Sequence, residues 1–193
     1  MVRTVGVILA GGRSSRMGSD KAAVVVGSHT MLHHTATALR AVTDELVVAG
    51  RDESVEGIPA VADPGVAHRG PLAGLAAASS AFPDALLVVV AVDQPWVRTE
   101  TLRQLVALTG DLPVLPVDRG VRQTTCAVYP APALDHVGEE LTGGGSIQSL
   151  VDRISFVPVT SEEWARWGED GRSWYSADTM GAIAMGLERY GAP

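Results

Sequence analysis

The chain has 193 residues, enough for one domain with a core of its own and no need of covalent staples. Hydrophobic residues make up 46% and the mean hydropathy is +0.18, yet no apolar run reaches the roughly 18 uncharged residues that a membrane span requires. A net charge of −7 and a pI near 5.1 argue against a general nucleic-acid binder, and a single cysteine, Cys126, excludes an internal disulfide framework and a cysteine-based zinc cluster.

Met1-Val2-Arg3-Thr4 leads straight into the first apolar run, which leaves no room for a signal peptide, so a cytoplasmic protein is expected. Val5–Ala10 is predicted as the first strand. It runs into Leu9-Ala10-Gly11-Gly12-Arg13-Ser14-Ser15-Arg16-Met17-Gly18-Ser19-Asp20-Lys21. Glycines let a backbone approach phosphates closely and turn its N–H groups toward them. Arg13, Arg16 and Lys21 add fixed positive charge in the same place, so an acidic protein keeps one positive focus suited to a small polyanion. A Walker A loop is excluded, because Gly18 is followed by Ser19, Asp20, Lys21 and Ala22, with no hydroxyl in the position that would meet Mg²⁺. The dinucleotide fingerprint is excluded by the adjacent pair Gly11-Gly12.

Thr30–Thr43, with Leu32, Ala36, Leu39 and Val42 at helical spacing, is predicted as a helix, followed by a strand over Glu45–Ala49 and a short one over Pro59–Ala62. Pro71–Ser80 is Ala-rich and helical, with Pro71 in the first turn, where a missing N–H costs nothing. Ala85–Val92 is the clearest strand, and it ends at Asp93. In open parallel sheets ligands sit beyond the carboxyl ends of the strands, so Asp93 would share an edge with the glycine-rich loop. A carboxylate facing a triphosphate needs a cation between them, and Mg²⁺ suits that place because it takes oxygen ligands from a carboxylate and substrate phosphates together.

Thr99–Thr109 is predicted as an amphipathic helix, Leu112–Pro116 and Thr124–Tyr129 as strands with Val121-Arg122-Gln123 leading into the second. Ala131–Leu141 and Ile147–Asp152 are predicted as helices, Ile154–Val159 as a strand, Ser161–Trp167 as a short helix and Thr179–Tyr190 as a terminal one. Apolar runs alternating with longer mixed segments mark strands buried on both faces and joined by helices. The expected fold is α/β, a three-layer α/β/α, Rossmann-like arrangement around a mostly parallel sheet, in one domain over residues 1–193. His33 and His34 read as surface or satisfied helix histidines, Cys126 as a small buried residue, and Trp164, Trp167 and Trp174 as packing groups.

The pattern L-A-G-G-x-S-x-R-M-G-x-D-K, complete from Leu9 to Lys21, resembles the opening signature of the nucleotidyltransferases that attach a nucleotide to the molybdenum cofactor. Asp93-Gln94-Pro95-Trp96 resembles that family's metal-binding segment, and Gln123–Tyr129 its Q-P-x-x-A-L-Y strand, with Thr124 in place of Pro. The Gly11-Gly12 pair and Gly70-Pro71-Leu72-Ala73-Gly74 resemble the guanylyl members rather than the cytidylyl ones. The resemblance implies a nucleotidyltransferase-type fold and transfer of GMP from GTP to a molybdopterin-type acceptor with release of pyrophosphate.

In that reading Leu9, Ala10, Gly11, Gly12, Arg13, Ser14 and Arg16 hold the nucleotide, Lys21 neutralises charge at the phosphorus under attack, and Asp93 holds Mg²⁺. The turn-rich approach to the helix at Gly70, Pro71 and Leu72 offers N–H groups to a guanine O6. Asp63 is a candidate acceptor for the guanine N1 and N2 hydrogens. Departures lie near the C-terminus, where N-x-N-T-P is replaced by Ser176-Ala177-Asp178-Thr179-Met180, leaving Asp178 as a second candidate for metal or phosphate. Gly50-Arg51-Asp52 stands where relatives commonly place an Asn. The alternatives are the same fold with another acceptor or nucleotide, such as cytidylyl transfer to molybdopterin, a sugar phosphate or a phospho-acid, and a non-catalytic nucleotide binder. The protein is expected as a monomer or weak homo-oligomer, without nucleic-acid or membrane partners.

Overall fold

The computed structural model describes residues 2–11, 20–62 and 70–193. Strand β1 (Thr4–Leu9) is followed by a short 3-10 turn at Lys21–Ala23, a small antiparallel hairpin of β2 (Val25–Val26) and β3 (His29–Thr30), and helix α1 (Met31–Arg40). Thr30 starts α1 by accepting the His33 N–H on its side-chain oxygen, and the apolar stripe Leu32, Ala36 and Leu39 faces the sheet. Next come β4 (Glu45–Ala49), β5 (Ala60–Val61), α2 (Gly70–Ala81), β6 (Leu86–Ala91) and α3 (Thr99–Leu108).

The second half contains β7 (Val114–Asp118), β8 (Val121–Arg122), β9 (Cys126–Pro130), α4 (Val137–Thr142), α5 (Ile147–Arg153), β10 (Val157–Val159), α6 (Ser161–Ala165) and α7 (Met180–Tyr190). The main sheet runs β10-β7-β9-β6-β1-β4-β5, with β8 paired onto β7. The pairs β6–β1, β1–β4, β4–β5 and β7–β10 are parallel, whereas β9 runs antiparallel to both β6 and β7. The fold is therefore the expected three-layer α/β type, with one reversed strand inside it.

Strand alternation sorts the core into two layers. Val5, Val7 and Leu9 of β1 join Leu87 and Val89 of β6 beneath α2, α4 and α5, while Ile8, Val48, Val88 and Val90 point to the opposite face and pack against α1 and α3. Helix α2 is buried from Leu72 to Ala78 and apolar on all sides, as a helix enclosed by sheet and neighbours must be. Gly74 lets it press onto the sheet: a Cβ there would lie 2.9 Å from Leu9 Cδ2 and 3.2 Å from the Ala49 methyl group. No helix among the described residues is long and apolar enough to cross a membrane.

The structure corrects three predicted elements. Residues 131–141 form a 3-10 turn at Ala131–Leu134 and then α4, because Pro130 and Pro132 donate nothing and the Ala131 N–H goes to the Ala85 carbonyl on the sheet. Val121-Arg122 is a strand of its own, returned onto β7 by Arg119 and Gly120, both at positive φ, in the geometry that suits a two-residue hairpin. The strand predicted over Ile154–Val159 shrinks to β10, since β7 offers partners only from Val114 onward.

Candidate active site

The carboxyl ends of β1, β4 and β6 open into a cavity of about 880 Å³. Leu9, Ala10, Gly11, Lys21, Pro71 and Asp93 all line it, so loop end, helix start and strand-end carboxylate do converge. Gly12, Arg13, Ser14, Arg16 and Asp63 lie outside the described residues. Gly70 and Leu72 are not in the lining. Gly70 opens α2 at a φ of +70°, and the Leu72 side chain points down into the core under α2.

At the centre, Lys21 Nζ donates to Asp93 Oδ2 at 2.7 Å, joining residues 72 positions apart in the chain. Both side chains are half-buried, which strengthens the pair relative to one on open surface. Lys21 begins the 3-10 turn, and the Asp20 side chain caps that turn by accepting the Ala22 N–H. The Arg51 guanidinium pairs with Asp20 and holds its carboxyl below the usual carboxylate range. Lys21 is also the single lysine of the chain, the other basic residues being arginines.

Asp93 is set by its neighbours. Gln94 is buried. Its carbonyl oxygen accepts the Ala91 N–H and its amide donates to the Thr125 hydroxyl, so the turn after β6 is tied to the start of β9. Trp96 packs under α7, donates its indole N–H to the Gly191 carbonyl, and leaves room for no side chain at Gly186. The Asp93 carbonyl accepts the Ala177 N–H at 2.7 Å, which places Ser176 in the cavity wall. Asp178, two residues on, is half-buried and is not part of the lining.

Gly50, Arg51 and Asp52, which stand at the expected Asn position, line the cavity, and with them Glu53, Ser54 and Val55, which the sequence reading passed over; a bridge between Val55 and Ile58 closes the loop that carries them. The signal was present, since they follow β4 at the same edge. Gly50 sits at a φ of +84°, and a Cβ there would lie 2.5 Å from Gly11 Cα, so these two glycines let the ends of β1 and β4 touch. Thr125 was less legible: it reaches the site because β9 is antiparallel and begins where β6 ends.

The residues read as packing groups do pack. Trp164 and Trp174 meet edge to face and donate their N–H groups to the Val117 carbonyl and the Asp118 carboxylate, and Trp167 rests on the same core layer. Cys126 is fully buried, and burial pushes its thiol up, away from the reactive thiolate. His34 bonds the Val26 carbonyl beside α1. Among the described residues no group of three His, Cys, Asp or Glu side chains forms a ready metal cage.

The family model for the MobA-like NTP transferase domain matches residues 6–157, which include the whole cavity edge except Ser176. The chain belongs to that family. Among relatives, a probable molybdenum cofactor guanylyltransferase of Pelotomaculum thermopropionicum is 34% identical over 145 residues, 73% of this chain and 70% of that protein. A molybdenum cofactor guanylyltransferase of Rhizobium johnstonii is 34% identical over 126 residues, 65% of this chain and 53% of its own length. In fold, the chain is similar to the molybdopterin-guanine dinucleotide biosynthesis protein A of Archaeoglobus fulgidus, with a TM-score of 0.81 at 23% identity, covering 96% and 97% of the two chains. The MobA-like family makes the chain a nucleotidyltransferase, and the cavity at the β1–β6 edge is its candidate site.

Proposed function

We propose that the protein transfers GMP from GTP to a phosphate of a molybdopterin-type acceptor and releases pyrophosphate. The observation that carries this reading is the Lys21–Asp93 pair at 2.7 Å in the wall of the cavity, at the end of the glycine-rich run. A lysine and a carboxylate at the same strand edge supply the two charges a phosphoryl centre needs, one for the phosphate oxygens and one for a cation. The guanylyl assignment rests on Gly11-Gly12, on Gly70–Gly74 and on the guanylyltransferase names of the relatives.

The acceptor phosphate oxygen attacks the α-phosphorus in line, the bond from that phosphorus to the oxygen bridging the β-phosphate breaks, and pyrophosphate leaves. Lys21 neutralises charge on the α-phosphate as it develops. Arg13, Arg16 and the N–H groups of the glycine-rich run hold the β- and γ-phosphates. Asp63 and the start of α2 read the base. The donor set fits Mg²⁺, because one carboxylate, Asp93, stands at the cavity wall with room beside it for phosphate oxygens, and Asp178 is a candidate second ligand carried by the segment bonded to the Asp93 carbonyl. When bound, the cation supplies Lewis-acid stabilisation of the pyrophosphate leaving group.

Pyrophosphate release with GTP and with CTP, each with Mg²⁺ and a molybdopterin acceptor, tests the reading. Release with GTP well above CTP is expected. Equal release, or release only with a sugar phosphate as acceptor, would replace it with one of the same-fold alternatives.

A further inference from the structure

We infer that Arg51 is a positioning residue that sets the place of the Lys21 ammonium, acting through Asp20. The inference rests on the nucleotidyl-transfer reading above and assigns a role to a side chain outside the signature run. Arg51 leaves the end of β4 directly after Gly50, whose contact with Gly11 lays the two strand ends together. Its Nε donates to the Ala10 carbonyl at 3.1 Å, and its Nη2 pairs with Asp20 Oδ1. That same Oδ1 accepts the Ala22 N–H at 3.0 Å and so caps the turn that Lys21 begins. Lys21 then reaches Asp93. A single guanidinium thus ties the last residue before the glycine-rich run to the last residue before the lysine.

Two physical reasons make this link matter for chemistry more than for stability. A lysine ammonium rides on a flexible four-carbon stem, so its position is only as defined as the backbone that carries it. Asp20 is also a carboxylate adjacent to Lys21 in the chain, and its pairing with Arg51 occupies it. Without Arg51, the ammonium has a second carboxylate to visit instead of Asp93. The Arg51–Asp20 pair is itself partly exposed, which keeps its direct contribution to stability small. Only a planar fork serves the Ala10 carbonyl and the Asp20 carboxylate together, so a lysine at position 51 would hold one and release the other.

The test combines turnover with a readout that needs none. In pyrophosphate release with GTP, Arg51→Ala is expected to lower kcat roughly 10- to 100-fold, the scale of a misplaced catalytic group, with the KM for GTP changed less than about threefold. Arg51→Lys should fall between. Added to Lys21→Ala, the Arg51→Ala change should cost no more than about a further threefold, because the group it positions is gone. A purely structural role would multiply the two losses and overturn the inference.

Because Lys21 is the sole lysine, an amine-acylating reagent reports its environment at one peptide, read by mass spectrometry. Acylation at Lys21 should be at least about threefold faster in Arg51→Ala than in the parent protein, as the ammonium exchanges the half-buried Asp93 for the more exposed Asp20. An unchanged rate would overturn the inference even if activity falls. If the parent protein releases no pyrophosphate, or Lys21→Ala leaves release intact, the functional reading fails instead, and the acylation rates still decide whether Arg51 places Lys21.

Discussion

Two carboxylates withdrawn from bulk water, Asp93 and Glu169, are handled in opposite ways. Glu169 is buried and accepts from the hydroxyls of Thr101 and Ser173 and from the backbone N–H groups of Asp170, Gly171 and Ser173. Ser173 in turn accepts the Arg98 N–H at the start of α3. Every lone pair of Glu169 is used in binding the segment after α6 to α3. Asp93 has one side-chain partner among the described residues, Lys21, and stands at a cavity wall. The difference shows how burial separates roles: a carboxylate saturated by neutral donors is a fastener, whereas one at a cavity wall whose side-chain partner among the described residues is one cation is placed to meet a ligand.

The sharpest way to break the comparison is at Asp93 and Lys21. Asp93→Ala or Lys21→Ala is expected to lower turnover about 10²- to 10⁴-fold, with the thermal midpoint nearly unmoved, because each removes charge stabilisation that acts in the transition state. Near-normal pyrophosphate release in either variant would place the chemistry elsewhere. Glu169→Ala should do the reverse, destabilising by about 3–5 kcal/mol in urea unfolding through five orphaned donors, while kcat per folded molecule holds. A Glu169 variant that folds normally yet loses turnover would make it part of the site.

Smaller changes refine the contrast. Thr101→Val removes one of the donors to Glu169 and should cost about 1–2 kcal/mol, with no effect on nucleotide KM. The smallest effect is the pH response of Asp20. Its Arg51 hydrogen bond lowers its pKa from 3.8, so the stability it contributes is complete above that value and is lost as the pH falls through the lowered one. Asp20→Asn should therefore shift the urea midpoint slightly at pH 7, by an amount that shrinks as the pH falls below 3.8. A larger loss at low pH than at neutral pH would contradict the pairing.

Legibility followed the range of the interaction. Lys21 and Asp93 were readable because a glycine-rich run after a strand and an acid at the end of another strand are local patterns with a known shared edge. Pro71 was readable for the same reason. Arg51 was visible only as a departure from the expected Asn, since nothing in its neighbourhood says that its guanidinium will turn back to Ala10 and Asp20. Glu169 was not readable at all, because its donors come from residues 68 positions away as well as from its own loop. Leu72 belongs to the nucleotide seat only through a backbone N–H in the first turn of α2, a role that the burial of its side chain in the core leaves open.

By itself the sequence determined the alternation of strands and helices, the strand edge at which the cavity opens, and the Lys21 and Asp93 charges placed there, because each depends on residue patterns a few positions long. The tertiary structure decided the reversal of β9 that brings Thr125 to the cavity, the touching glycines Gly11 and Gly50, and the chain of contacts from Arg51 through Asp20 to Lys21 and Asp93. Those depend on how separate strands are laid side by side, and that is settled by packing over the whole core, not by any one segment.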